Sequence, residues 1–192
     1  WGTISFTDFS DDAVFSESGS YTDGCILSNC IIEKSGGLFI RFGAPLVTQC
    51  EIRNNVSSGI RVEFGAPHII GNRIYGNSTK FDPASGNGGG IIAYSDRNVL
   101  IADNIIYNNI SDGGRDGGGG IYAYAADGGK IGIINNVVFG NSSSRFGGGI
   151  YAYNSLLELN TIVNNNSVLR GGGIYVVESE ASENLVQDNG SE

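Results

Sequence analysis

No methionine occurs in the 192 residues; tryptophan and histidine occur once each, and proline and cysteine three times each. With no methionine and an opening Trp1, the chain reads as a mature or excised segment. Scarce proline, together with 31 glycines that follow no three-residue period, excludes collagen and proline-rich linkers. Cys25, Cys30 and Cys50 show no paired metal-ligand spacing, and an odd trio makes a poor disulfide scaffold, so they read as buried thiols. Eleven Lys and Arg against twenty Asp and Glu leave a formal charge of −9, which would repel a phosphate backbone and excludes a nucleic-acid partner. No apolar run approaches the roughly 18 residues of a membrane span, and no basic head followed by an apolar stretch opens the chain. What is there is a 40% hydrophobic fraction, enough apolar side chain for one core, and a single domain over residues 1–192 is expected.

Asparagine placement sets the fold class. The segments SNCIIEK, QCEIRNN, GNRIYGN, DNIIYNN, NNVVFGN, LNTIVNN and ENLVQDN share one frame. Its first position holds Asn29, Cys50, Asn72, Asn104, Asn136, Asn160 and Asn184; two residues on stands an aliphatic column from Ile31 to Val186; a second polar column runs Lys34, Asn55, Asn77, Asn109, Asn141, Asn165 and Asn189. Successive frames are 21, 22, 32, 32, 24 and 24 residues apart. Between them recurs a glycine followed by an apolar residue, from Gly37-Leu38 to Gly173-Ile174. These short β-branched and aromatic runs, broken by Gly and Asn, favour strands over helices.

The expectation is therefore all-β: a parallel β-solenoid of about seven coils, each of three short strands, coils stacking at roughly 4.8 Å. Residues 1–23 read as an irregular first coil and residues 24–190 as the repeat coils. The asparagines suit tight turns with αL or bridge conformations, and Asn72, Asn104, Asn136, Asn160 and Asn184 are expected to stack as a carboxamide ladder that Cys50 interrupts. Asn77-Ser78-Thr79 and Asn141-Ser142-Ser143 match the glycosylation pattern, but the shared structural position favours turns over glycan acceptors.

The run Asn-x-Ile/Val-x-x-Asn followed by GGGIY resembles the right-handed parallel β-helix repeat of pectate-lyase-like proteins, and the GG-Ile repeats of polymorphic bacterial surface proteins. The resemblance covers residues 24 to 190, and the opening WGTISF looks like a strand of an earlier coil. It implies fold more than function, since such scaffolds carry lyases, hydrolases, adhesins and spacers. It also implies an extracellular or cell-surface setting, bacterial by the second likeness.

Alternation along the strand after each glycine puts Leu38, Ile60, Ile91, Ile121, Ile150 and Ile174 inside, and Tyr94, Tyr122, Tyr124, Tyr151, Tyr153 and Tyr175 outside in two columns. The large insertions, 13 residues from Asn77 to Gly90 and 11 from Asn109 to Gly120, flank the same face. Tyrosines beside acidic loops carrying Asp96, Asp112 and Asp116 fit polysaccharide, with rings stacking on sugars and oxygens accepting hydroxyl protons. The alternative is that the loops fold back and cover the rings.

Catalytic chemistry has weaker footing. The Asn-Thr-Asp, Asp-Asp, Gly-His-Gly and Arg-Ile-Lys motifs of polygalacturonase-like members are all absent. Asp96, Asp103, Asp112, Asp116 and Asp127 sit in adjacent coils with no pair marked by spacing, as a hydrolase would require. The basic candidates for a lyase, Lys34, Lys80, Lys130, Arg97 and Arg115, lie in no motif, and His68 at the head of an apolar strand reads as structural. A single Asp112-to-Asp116 turn is a faint calcium signature, and no other cofactor is implied. Recognition without catalysis is the leading expectation; a lyase or hydrolase using the loop aspartates is one alternative. Another follows from the absence of any capping helix and from ends that match in register: head-to-tail assembly into a filament or adhesin stalk.

Overall fold

A computed structural model describes residues 2–81, 86–112 and 116–191. Trp1, the 82–85 stretch of the first large insertion, Arg115 with the two glycines before it, and Glu192 lie outside the described residues.

The strands form three seven-stranded sheets, each taking one strand per coil, and all pairing between coils is parallel. The first sheet contains Ile4–Phe6, Leu38–Arg41, Ile60–Glu63, Ile91–Ser95, Ile121–Ala125, Ile150–Tyr153 and Ile174–Val177. The opening strand pairs Ile4 with Leu38, as an earlier coil would. The second sheet runs from Ile26–Ser28 to Glu180–Ser182, and the third from Ile31–Glu33 to Leu185–Gln187. This is a parallel β-helix. Among the described strands the one antiparallel pair, Val14–Phe15 with Tyr21–Asp23, lies in the first coil, where Phe15 stacks on His68 at 4.2 Å. Burial holds that imidazole below its ordinary value, in keeping with a structural role.

Aliphatic columns from all three sheets fill the interior. The first sheet sends in Leu38, Ile60, Ile91, Ile121 and Ile150, with Ile40, Val62, Ala93, Ala123 and Ala152 beside them, all essentially inaccessible to solvent. The second contributes Val47, Ile69, Ile101, Ile133 and Leu157, and the third Ile32, Ile52, Ile74, Ile106, Val138 and Ile162. Each buried Ile, Leu or Val among them contributes about 1.5–3 kcal/mol on leaving water. At the last coil the same columns end in Val176 and Val186, which are more than two-fifths exposed.

In the third sheet Ile32, not Ile31, pairs with Ile52. The frame of the first coil is therefore shifted by one from the sequence expectation: Cys30 and Ser35, not Asn29 and Lys34, underlie Cys50 and Asn55. Ser35 lies 20 residues from Asn55 and gives it two hydrogen bonds, from its N–H at 3.1 Å and its hydroxyl at 2.8 Å. Asn29 and Lys34 occupy corners instead, with φ of 55° and 52°.

The same finding revises the role of the asparagines. Left-handed backbone belongs to the residue before each ladder position, such as Asp103, Asn108 and Asn135. The ladder asparagines serve as hydrogen-bond hubs. Asn104 is typical: its Oδ1 accepts from the N–H and Nδ2 of Asn72 at 2.9 and 3.0 Å, and its own Nδ2 donates to Asn136 Oδ1 and to the Ile69 carbonyl. Asn160 and Asn184 continue the column with bonds of 2.8–3.0 Å, and Asn72 accepts from the Cys50 N–H. The second polar column, from Asn55 to Asn189, is a full ladder of the same kind. Asn77 and Asn141 are buried in it, which keeps both acceptor amides from solvent, as it does Asn55, Asn109 and Asn165, which begin three further Asn-x-Ser matches.

Three strands per coil describes the N-terminal half. Later coils, with more residues between the second asparagine and the glycine, add a fourth sheet of two-residue strands: Ile110–Ser111, Ser142–Ser143, Asn166–Ser167 and Gly190–Ser191.

Candidate functional site

The outer surface of the first sheet carries the two expected columns, but their fates differ. Tyr122 and Tyr151 are only 6% and 8% exposed, and with Ile92 they form a second apolar cluster outside the main core. The returning loops cover them, so these two rings are not part of an open face. Asp116 Oδ2 accepts the Tyr122 hydroxyl at 3.0 Å, and Phe146 stacks on Tyr175 at 4.8 Å. Tyr122, Tyr151 and Tyr175 stack on one another at 5.1 and 5.6 Å. Glycine makes the cover possible: Gly118 has a φ of +75°, and a Cβ there would collide with the Ile121 carbonyl oxygen. Burial, then the Asp116 charge, pushes the Tyr151 phenol up to about 12 and Tyr122 higher still.

The second column stays open. Tyr94 is 36% exposed, and Tyr124 and Tyr153 are half-buried. Tyr94 and Tyr124 stack at 5.3 Å, Tyr124 and Tyr153 at 4.5 Å. Phe64 meets Tyr94 edge-on at 5.3 Å and stacks on Phe42 at 5.6 Å, so the strip crosses five coils. Sequence reasoning missed both phenylalanines; the signal was the repeated Phe-Gly-Ala-Pro at 42–45 and 64–67. Each follows its strand with φ of 64° and 55°, a conformation that costs a bulky residue about 1–3 kcal/mol and is often kept at functional surfaces. Where they stack, these rings cover one another's faces and offer edges and phenol oxygens; a ring face for a sugar is left at the ends and at the edge-on step between Phe64 and Tyr94.

Three depressions follow one another along this sheet. One of about 370 Å³ is lined by Thr3, Phe39, Arg61 and Glu63; one of about 310 Å³ by Arg61, Glu63, Asn87, Tyr94 and the edge of Tyr122; and one of about 310 Å³ by Tyr94, Tyr124, Tyr153, Asp127, Asn154 and Glu178. Shared walls make them one groove, about 29 Å long at a strand spacing of about 4.8 Å. Its charges differ from end to end. Arg61 Nε donates to Glu63 Oε1 at 2.9 Å, and Arg41 lies 3.8 Å from the same carboxylate. The far depression holds carboxylates without a cation in its walls. There Glu178, as acceptor for the Tyr153 hydroxyl, holds that phenol above its ordinary value.

Of the expected acidic groups, Asp96 is exposed in the turn beyond its strand, and Asp112 receives no place in the groove walls; its N–H donates to Thr79 Oγ1 at 3.1 Å. Asp116 stands behind the covered column. No group of three His, Cys, Asp or Glu side chains able to hold a metal ion occurs among the described residues, and the turn between Asp112 and Asp116 lies partly outside them.

A second aromatic stack went unnoticed in the sequence. On the outer surface of the third sheet Tyr75 stacks on Tyr107 at 4.6 Å and Tyr107 on Phe139 at 4.9 Å. Here the hydroxyls are engaged: Arg53 donates to Tyr75 at 3.0 Å and Arg73 to Tyr107 at 3.3 Å, while Arg53 also binds Glu33 and Glu51.

With this geometry in place, the chain belongs to the right-handed β-helix region family, whose model matches residues 3–191. The fold is thus a right-handed parallel β-helix. No curated protein and no solved structure matches the chain. Among the described residues no helix is long and apolar enough to cross a membrane.

Proposed function

We propose that this β-helix is a polysaccharide-recognition module of the extracellular or cell-surface kind, binding a glycan along the groove of the first sheet without cleaving it. The observation that carries the reading is the open column of Tyr94, Tyr124 and Tyr153 beside a groove crossing several coils. A repeating ligand suits a repeating surface: the phenol oxygens recur at the coil spacing and meet successive sugar hydroxyls. Binding is favoured over turnover because two carboxylates along this sheet are already engaged, Glu63 by Arg61 and Asp116 by Tyr122. Titration calorimetry against glycans selected on an array tests the assignment. Tyr124→Ala and Tyr153→Ala should weaken binding at least tenfold, and undiminished affinity in folded variants would refute the groove.

A further inference from the structure

The far depression of the groove is chemically one-sided. Asp127 and Glu178 bring carboxylates, and Tyr124 and Tyr153 bring phenol oxygens. Asn154 Nδ2 donates one of its hydrogens to the Ala125 carbonyl at 3.4 Å, and its amide oxygen is a further acceptor. Among the described residues no Lys, Arg or His lines this cleft, in contrast to the neighbouring depression, where Arg61 neutralises Glu63. Acceptors therefore dominate, and a neutral sugar hydroxyl would satisfy them only in part, because it also needs donors for its own oxygen. An ammonium group carries three donors, no acceptor and the complementary charge. A uronate would add a third negative charge to the two present and is disfavoured.

Glu178 and Asn154 adopt φ of 52° and 49°, the position that Phe42 and Phe64 take in earlier coils, and Asp127 stands in the turn after its strand. Tyr153 ends the stack on this side, where Val177 follows it in register, so one ring face is left without an aromatic neighbour and can receive a cation or the apolar side of a sugar. At about 310 Å³ the cleft is at the small end of ligand sites, room for about one sugar ring.

Building on the polysaccharide reading, we infer that the Tyr124–Tyr153–Asp127–Glu178 cleft selects a protonated amino sugar, so that the chain prefers free-amine glycans over N-acetylated or uronate ones. Calorimetry at about pH 5.5, where free carboxylates are ionised and amino sugars carry their proton, compares glucosamine, N-acetylglucosamine and galacturonate hexamers. The glucosamine hexamer should bind at least tenfold more tightly than the acetylated one, and galacturonate most weakly. Asp127→Asn with Glu178→Gln, both at exposed positions, should bring the first two hexamers within about twofold by weakening the glucosamine one. Equal binding of the wild-type protein to the three hexamers, tighter galacturonate binding, or a preference that survives the double substitution would overturn the inference. If the glucosamine hexamer fails to bind while another glycan binds in a Tyr124-dependent way, amine selection falls and the groove stands. If Tyr124→Ala and Tyr153→Ala affect no glycan, both fall.

Discussion

Tyr122 and Tyr124 stand two residues apart on one strand, on the same side of one sheet, yet one is sealed and the other open. The loop decides. Around Tyr122 the glycine-led return and Asp116 close over the ring, whereas past Tyr124 the chain turns away at Ala126 and Asp127 and leaves a cleft. Strand alternation thus chooses the side on which a residue lies but not what lies over it. The third sheet supplies a further contrast: its rings stack as tightly, but arginines take up their hydroxyls and no described depression is lined by them.

The sharpest way to break this comparison is to truncate both rings. Tyr122→Ala should cost about 3–5 kcal/mol of stability, as for a buried aromatic ring, and Tyr124→Ala about 1 kcal/mol, read from urea midpoints. Similar losses at the two positions would show that they share one environment. Binding should reverse the order: Tyr124→Ala weakens glycan affinity at least tenfold, about 1.4 kcal/mol, while Tyr107→Ala on the third sheet changes it less than about twofold. Replacing Tyr122 by Phe keeps the ring and removes its bond to the Asp116 carboxylate, for an expected loss of about 1.5–3 kcal/mol, read from the urea midpoint.

The smallest effect is in pH. Burial raises Tyr151 to about 12 in the fold, against about 10 when unfolded, so the folded state holds its proton longer. Its contribution is complete below pH 10 and is lost as pH rises from about 10 to 12, because only the unfolded chain then gains by ionising. Denaturation midpoints across that range should fall, and fall less steeply in Tyr151→Phe; an unchanged slope would place this phenol in water.

Much of the architecture was legible because one coil constrains the next. The glycine before each strand, the aliphatic column running from Ile52 to Val186 and the asparagines recur at one corner, and only stacked coils use all three. The one-residue slip at Asn29 and Lys34 arose where the pattern is weakest: Cys30 and Ser35 replace both ladder asparagines, and corner residues imitate them. The site was legible in part. Tyr94, Tyr124 and Tyr153 could be placed outward by counting, but Phe42 and Phe64 lie past the strand ends, where left-handed corners defeat alternation.

Composition and period by themselves determined that this chain winds into a parallel β-helix, because amide ladders and aliphatic columns can be satisfied only when equivalent residues of neighbouring coils touch. They could not determine which phenols meet solvent, or that Asp127 and Glu178 share a cleft with Tyr153. Those matters depend on the paths of corners and insertions, whose contacts are long-range and leave no period in the sequence.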